Sequence, residues 1–412
     1  MANSDCVLSS KFKKMAESRS IYPAVFEPDR LRLYGCFILG ICLFRAIALI
    51  SSFDNMLDTD SSPAGYDFIT FWSAGYLALL GAPEAAFVRE RIVEIQQLAV
   101  PGNQSVFLWH YPPTFMLLSS AFATIPYLAS YFLFIGSSFL FYVYSLKRLF
   151  DHPYAILLIV AYPAVYLTMV HGQNSLLSTG LLACAIFYFR SKPLLAGVFI
   201  GLLAFKPQLG VLIPLVLLVS QQWRVFFSAA LTTSLFVGLS FAVFGWELWV
   251  VFFQNMSVVK SVMGQGLLLS EKMPSLYITL KMVGLADGFS YGAHWAMAFV
   301  VVAVLVWLWY RCGPTHMAFA ALISATLLIL PYLFDYEMTL LSIPIALLAM
   351  DVAQKGGAIW EKTILVCGFV TPLILAGIGQ NFNIQIGFPV ILALFVLAVS
   401  RAVSELRTER AS

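Results

Sequence analysis

The sequence predicts an all-α polytopic membrane protein, one bundle of about twelve transmembrane helices with interfacial helices in its first external loop. Three observations lead there. Of the 412 residues, 60% are hydrophobic and 11% charged, with mean hydropathy +0.86, whereas soluble domains carry about 25% charged residues. About thirteen apolar runs recur along the chain. The basic residues are spread over the short loops between those runs, the distribution that orients membrane helices.

The same composition excludes other classes. A net charge of +3 without a basic patch argues against a nucleic-acid surface. Cys6, Cys36, Cys42, Cys184, Cys312 and Cys367 are dispersed, with no CxxC pair, so neither a disulfide framework nor a zinc site is implied, and no cofactor is expected.

Residues 1–30 form a basic tail (Lys11, Lys13, Lys14, Arg19, Arg30), without the short apolar core and cleavage site of a signal peptide. The run Leu31–Phe53 is long enough to span a bilayer and reads as an uncleaved anchor with its N-terminus in the cytoplasm. Further runs follow at Tyr111–Tyr127, Leu128–Leu146, Pro153–Val170, Ser175–Phe189, Pro193–Phe205, Gln208–Ser220 and Val225–Gly245. The last are Tyr291–Tyr310, His316–Leu333, Met338–Val352, Lys362–Gly377 and Gln385–Ser400.

If the run opening at Tyr111-Pro112-Pro113 crossed fully, Lys147, Arg148, Arg190 and Lys192 would fall outside, against the positive-inside rule. Read as an interfacial or re-entrant helix on the outer side, it leaves every short basic loop in the cytoplasm. Residues 31–401 then form a single integral domain, with external loops at 54–127 and 246–290 and a cytoplasmic tail at 402–412. In the first loop, Phe87 to Leu98 mixes apolar and charged residues at helical spacing, as a helix lying in the interface does. In the second, Trp246, Trp249, Phe252 and Phe253 suggest an aromatic interfacial helix.

The runs Pro193–Phe205 and Gln208–Ser220 are each roughly 20 Å long as helices, against a hydrocarbon core of about 30 Å. They read as a pair that enters the membrane and turns at Lys206-Pro207. A lysine at such a break faces water, protein or an anion rather than lipid.

On this topology Asp67, His110-Tyr111-Pro112-Pro113, His171-Gly172-Gln173-Asn174, Lys206 with Gln208, and Asp335-Tyr336-Glu337 all fall on one membrane face. A polar cavity near the outer leaflet accounts for them together. Each also has a plain structural reading. Asp67 could cap the helix that follows it, His171 could be an ordinary loop residue, and Tyr-Pro-Pro could only set a helix entry angle. Lys206 could pair with an acid such as Asp335 or Glu337. Arg45, inside the first span, could snorkel or pair with an external acid.

The order of these motifs resembles the bacterial family 87 glycosyltransferases. It comprises an acid in the first external loop, Tyr-Pro-Pro, Gly-Gln-Asn between two spans, Ala196-Gly197…Gly201…Lys206-Pro207, Trp223-Arg224 and Leu330-Pro331…Tyr336-Glu337, and it extends over roughly Tyr66 to Leu348. The late motif departs from the family pattern, with Tyr332 where a histidine is common after the proline and Glu337 where aspartate is common.

The resemblance implies a GT-C-like bundle in the bacterial cytoplasmic membrane, with its site facing outward. It also implies transfer of a sugar, mannose by the same token, from a polyprenyl-phosphate donor to a lipid or glycan acceptor. By the same likeness, Asp67 is the general base, while Gly172-Gln173-Asn174 and Lys206 line the donor cavity.

Chemistry independently asks for a carboxylate to take the acceptor's proton and a cation, Lys206 or Arg45, for the departing lipid phosphate. Tyr66, Tyr111, His171, Gln173, Asn174, Gln208, Asp335 and Glu337 complete the expected substrate-binding set. Aromatic side chains, among them Tyr66, Trp72 and Trp109, offer faces to a sugar. One base and one displacement would invert the anomeric centre. A lipid-linked-glycan polymerase or ligase shares these features. A transporter or flippase shares the broken helix, but it does not need an acid-rich loop of this length.

Overall fold

The computed structural model describes residues 28–150, 152–264 and 269–411. Most of the expected basic tail, with Lys11, Lys13, Lys14 and Arg19, lies outside the described residues. Among the described residues the secondary structure is helical, with two isolated bridges (Asp54 to Leu57, Leu57 to Pro63) in place of any sheet.

Helix α1 (Pro28–Ser52) carries Arg45 and leads into a compact turn in which the Asp58 carboxylate accepts from the amides of Asp60 and Ser62 and from the Tyr66 hydroxyl. Three short helices follow: α2 (Phe68–Leu79), α3 (Arg89–Ala99) and α4 (Pro113–Phe122). Far from lying on the surface, α2 is core, with Phe68, Ile69, Ala74 and Leu77 buried. It reaches α4 through Gly75, where an added Cβ would stand 2.2 Å from the Ser119 carbonyl oxygen. Helix α3 is one-sided: Ile92 and Ile95 pack inward while Arg89, Glu90 and Leu98 face out.

Helix α5 (Tyr127–Leu149) ends with Lys147 and Arg148 in its last turn, where cations complement the exposed carbonyls. The apolar run Pro153–Val170 divides into α6 (Ala155–Ala161) and α7 (Pro163–His171). Pro163 has no N–H to continue the ladder, and its ring excludes the carbonyl four residues back. Helix α8 (Ser175–Tyr188) is almost wholly buried.

Helices α9 (Pro193–Leu202) and α10 (Ile213–Val219) are joined through single 3-10 turns, Leu203–Phe205 and Pro207–Leu209, that meet at Lys206. Helix α11 (Trp223–Phe244) runs parallel to α9, because Gly197 packs on Val225 and Ser228 and Gly201 on Ala229 and Thr232. The start of α11 therefore lies beside the start of α9. The chain goes in along α9, turns at Lys206 and returns along α10.

The second half comprises α12 (Glu247–Gly264), α13 (Leu276–Met282), α14 (Asp287–Cys312), α15 (His316–Leu328), the 3-10 turns Asp335–Leu341, α16 (Ser342–Lys355), α17 (Ile359–Phe382) and α18 (Gly387–Ala411). Every residue from Met317 to Leu328 in α15 is buried. Arg401 of α18 ties Asp351 of α16 to Glu361 of α17 by ion pairs of 3.1 and 2.7 Å.

The protein is an all-α polytopic membrane protein. Among the described residues seven helices are long and apolar enough to cross a membrane, accompanied by six shorter apolar helices. The apolar runs point to about twelve crossings, a number that this criterion of length and composition does not test. Breaks such as those at Pro163 and Lys206 cut several runs into helices too short to span alone.

Candidate active site

Asp67 stands at the entrance to α2, after Gly65 and Tyr66, whose positive φ angles of 83° and 37° turn the chain sharply. It occupies the N-cap position but makes no side-chain cap bond. Its carboxylate turns to the α7–α8 connection instead, accepting from Gln173 Nε2 at 2.9 Å. Gly172 makes that approach possible: its φ is +64°, and an added Cβ would stand 2.5 Å from both the Gly65 carbonyl oxygen and Phe68 Cβ. Gln173 Oε1 in turn accepts from the Tyr111 hydroxyl at 3.1 Å. Pro113, the first residue of α4, leaves Tyr111 just outside that helix.

Lys206 is buried at the α9–α10 break. Its ammonium donates to Asn174 Oδ1 at 2.6 Å and forms an ion pair with Glu337 Oε1. The Tyr111 and Tyr336 rings flank it at 6.0 and 5.8 Å. The Asp335–Leu341 segment is fastened to α7 by a 2.7 Å bond between the Thr168 and Thr339 hydroxyls. The Tyr162 hydroxyl, donating to the Met338 carbonyl at 2.9 Å, fixes the same segment. Asp335 is buried and accepts from the Tyr336 amide at 2.8 Å. His171 sits between Tyr66 and Tyr336, with ring centroids 5.6 and 5.9 Å away.

Asp67, Tyr66, Tyr111, His171, Gln173, Asn174, Lys206, Asp335 and Glu337 thus form one cluster, drawn from five segments of the chain. Two expected members stand apart. Gln208 is exposed beyond the Lys206 turn. Arg45 is at the margin, donating to the Leu373 carbonyl at 3.2 Å and lying 5.6 Å from the centre of the Tyr166 ring.

Electrostatics differentiate the cluster. Desolvation pushes the Asp67 carboxyl up to about 6, opposed by the Gln173 hydrogen bond and by the fields of Lys272 and Lys206. Asn174 Nδ2 and Glu337 Oε2 are buried with no hydrogen-bond partner among the described residues. Leaving such atoms unpaired costs about 1–3 kcal/mol each, so a ligand offering hydroxyl groups would find partners waiting. Among the described residues no three His, Cys, Asp or Glu side chains gather as a metal site would require.

Sequence reasoning missed Lys272 and gave Tyr336 no separate role. Lys272 lies in a 3-10 turn, Ser270–Lys272, within the second expected external loop. Nothing in its local sequence separates it from a solvated loop lysine, yet its field reaches Asp67, His171 and Asp335.

An apolar cavity of about 640 Å³ lies away from the polar cluster, between α1, α6, α16 and α17. Leu31, Ile38 and Ile41 of α1 face Leu365, Phe369 and Leu373 of α17 across it. Arg45 is one helical turn beyond Ile41, at the end of the cavity nearer the cluster.

In comparison with known proteins, a model of glycosyltransferase family 87 fits residues 109–331, more than half of the chain. No curated protein and no solved structure matches. The matched stretch holds Tyr111, His171, Gln173, Asn174 and Lys206, while Asp67, Asp335 and Glu337 come from outside it.

Proposed function

We propose, for a chain that belongs to glycosyltransferase family 87, that it moves a sugar from a polyprenyl-phosphate donor to a hydroxyl of a lipid or glycan acceptor at the outer face of a bacterial cytoplasmic membrane. The observation that carries this reading is the setting of Asp67. It is a partly exposed carboxylate, oriented by Gln173 and raised toward neutrality, beside two lysines and an aromatic wall.

As the acceptor oxygen attacks the anomeric carbon, Asp67 takes the hydroxyl proton. The bond from that carbon to the phosphate oxygen breaks, and the electron pair leaves with the lipid phosphate. One displacement inverts the anomeric centre. Gln173 holds the carboxylate in place, and Tyr66, His171 and Tyr336 offer faces to the sugar. Asn174 Nδ2 and Glu337 Oε2 are available to its hydroxyls. Arg45 and Lys206 are the phosphate candidates that sequence reasoning names.

The apolar cavity supports a lipid-linked donor. Its volume falls within the usual range for ligand sites, about 300–1,000 Å³, and its lining suits an isoprenoid chain. With the tail there, the head group would rise past Arg45 toward Asp67. A transporter without transferase chemistry does not accord with the family.

The test uses purified protein and polyprenyl-phosphate [¹⁴C]mannose as the first donor. Release of polyprenyl phosphate together with labelled acceptor supports the reading. Translocation of intact donor with no sugar released refutes it.

A further inference from the structure

We infer that Lys272 is the cation that meets the donor's departing phosphate, and that Lys206 is a positioning residue holding Glu337 and Asn174. This inference rests on the polyprenyl-phosphate donor proposed above.

Lys206 is poorly placed to receive a phosphate. Its ammonium is buried, and its charge is already matched by Glu337, with Asn174 as a second acceptor. Tyr111 and Tyr336 occupy its flanks. A phosphate reaching it would have to displace a carboxylate from a buried pair, or add a second negative charge to a neutral one. Either is costly in a low-dielectric setting.

Lys272 differs on each count. Among the described residues its side chain has no hydrogen-bond or ion-pair partner, and it is half-buried rather than enclosed. The turn that carries it is bonded to the Pro331 carbonyl through Ser275 and packs on Tyr332 and Phe334, so it lies against the segment that leads to Asp335, and its charge is among those acting on Asp67, Asp335 and His171.

The backbone carrying Lys272 is firmly seated. The Ser270 and Glu271 carbonyls accept from Gln385 Nε2 at 3.4 and 3.3 Å. Glu271 presses on Gly379 of α17 so closely that an added Cβ would stand 2.5 Å from its own Cβ. On the other side, Met273 is buried against Tyr277 with Tyr332 and Phe334, and the Ser275 hydroxyl donates to the Pro331 carbonyl at 2.6 Å. Lys272 is therefore held between the end of α17 and the segment leading to Asp335.

Helix α17 also orders the parts of the donor path. Its residues up to Leu373 line the apolar cavity, Arg45 bonds to the Leu373 carbonyl, and Gly379 abuts the Lys272 turn. Leu373 and Gly379 are about 9 Å apart along the helix at 1.5 Å per residue. A lipid tail in the cavity would bring its phosphate past Arg45 and up to Lys272, at the turn packed against the segment leading to Asp335. As the sugar–phosphate bond breaks, charge accumulates on the phosphate oxygens, and an ammonium with no ion-pair partner among the described residues is the group that stabilises it.

The experiment compares wild type, Lys272→Gln, Lys272→Arg and Lys206→Gln as full-length purified proteins. It reads kcat with a polyprenyl-phosphate sugar, the inhibition constant of the product polyprenyl phosphate, the pH profile and thermal stability. Lys272→Gln should weaken product inhibition and lower kcat by at least about tenfold each with little change in Tm, and Lys272→Arg should recover part of both.

The acid limb of the Lys272→Gln profile should also move to higher pH, because Asp67 loses a positive neighbour. A merely structural lysine would not move that limb. Lys206→Gln should lose stability first. Wild-type inhibition by polyprenyl phosphate and an unmoved acid limb in Lys272→Gln would overturn the inference alone. A wild type that neither uses nor binds polyprenyl phosphate would overturn the donor and this inference together.

Discussion

Gln173 donates its side-chain amide to Asp67 across 106 residues of sequence, and the carbonyl of the same amide accepts from Tyr111. One side chain thus joins three segments and sets the direction of the carboxylate. An aspartate positioned from outside its own helix is a group oriented for chemistry rather than one that closes a helix end.

Asp67→Asn keeps the size of the side chain and removes its basicity. Transfer should fall at least about a hundredfold while the protein still inserts and folds. The check is turnover of labelled donor by protein that elutes normally in detergent. Full activity in such a preparation would leave the carboxylate without a catalytic role.

The pH dependence follows from the raised Asp67 carboxyl. A base acts only when deprotonated, so kcat/KM should rise with pH through about 6 and level off above it. Gln173→Leu removes a hydrogen bond that favours the ionised form, so its acid limb should lie at higher pH than that of wild type. A limb unmoved by the substitution would mean that another group titrates.

The buried Lys206–Glu337 pair predicts a thermodynamic cycle. Either Lys206→Gln or Glu337→Gln alone strands a buried charge and should destabilise by about 3–5 kcal/mol. The double variant should recover much of that loss, giving a coupling well outside additivity. Additive losses in thermal or denaturant unfolding would contradict the pairing.

Gly172→Ala places a methyl group against the Gly65 carbonyl and Phe68, at a backbone angle that side chains rarely adopt. The α7–α8 connection should draw back from α2 and separate Gln173 from Asp67. Activity should drop more steeply than stability, and the acid limb should shift as in Gln173→Leu. Unchanged kinetics in Gly172→Ala would show that the close approach is dispensable.

Orientation in the membrane can be tested at exposed positions. In a cysteine-free background, a cysteine at Glu90 should react with an impermeant thiol reagent from outside, and one at Arg148 should not. Labelling at position 148 from outside would invert the orientation and put the cluster on the cytoplasmic side.

By itself, the sequence determined that the chain is helical and membrane-embedded, and that a pair of half-length helices breaks at Lys206-Pro207. Those features depend on composition and on neighbours a few residues away: apolar runs and the Lys206-Pro207 turn between two half-length helices, whereas the split of Pro153–Val170 at Pro163 came only with the structure. The motif order also carried the family, because the match to residues 109–331 contains most of the quoted motifs.

Which polar group meets which was decided only in three dimensions. Lys206 could face a phosphate or an acid, and it is Glu337, 131 residues away, that it reaches. Gln208, only two residues further on, is exposed, while Lys272, from a turn with no distinguishing local pattern, adds its charge to those acting on Asp67. The physical reason is range. Helix formation is settled within a few turns of chain, whereas a buried ion pair or an oriented carboxylate depends on the packing of distant segments. That packing rests on contacts such as Gly172 against Gly65, whose partners cannot be read from local spacing.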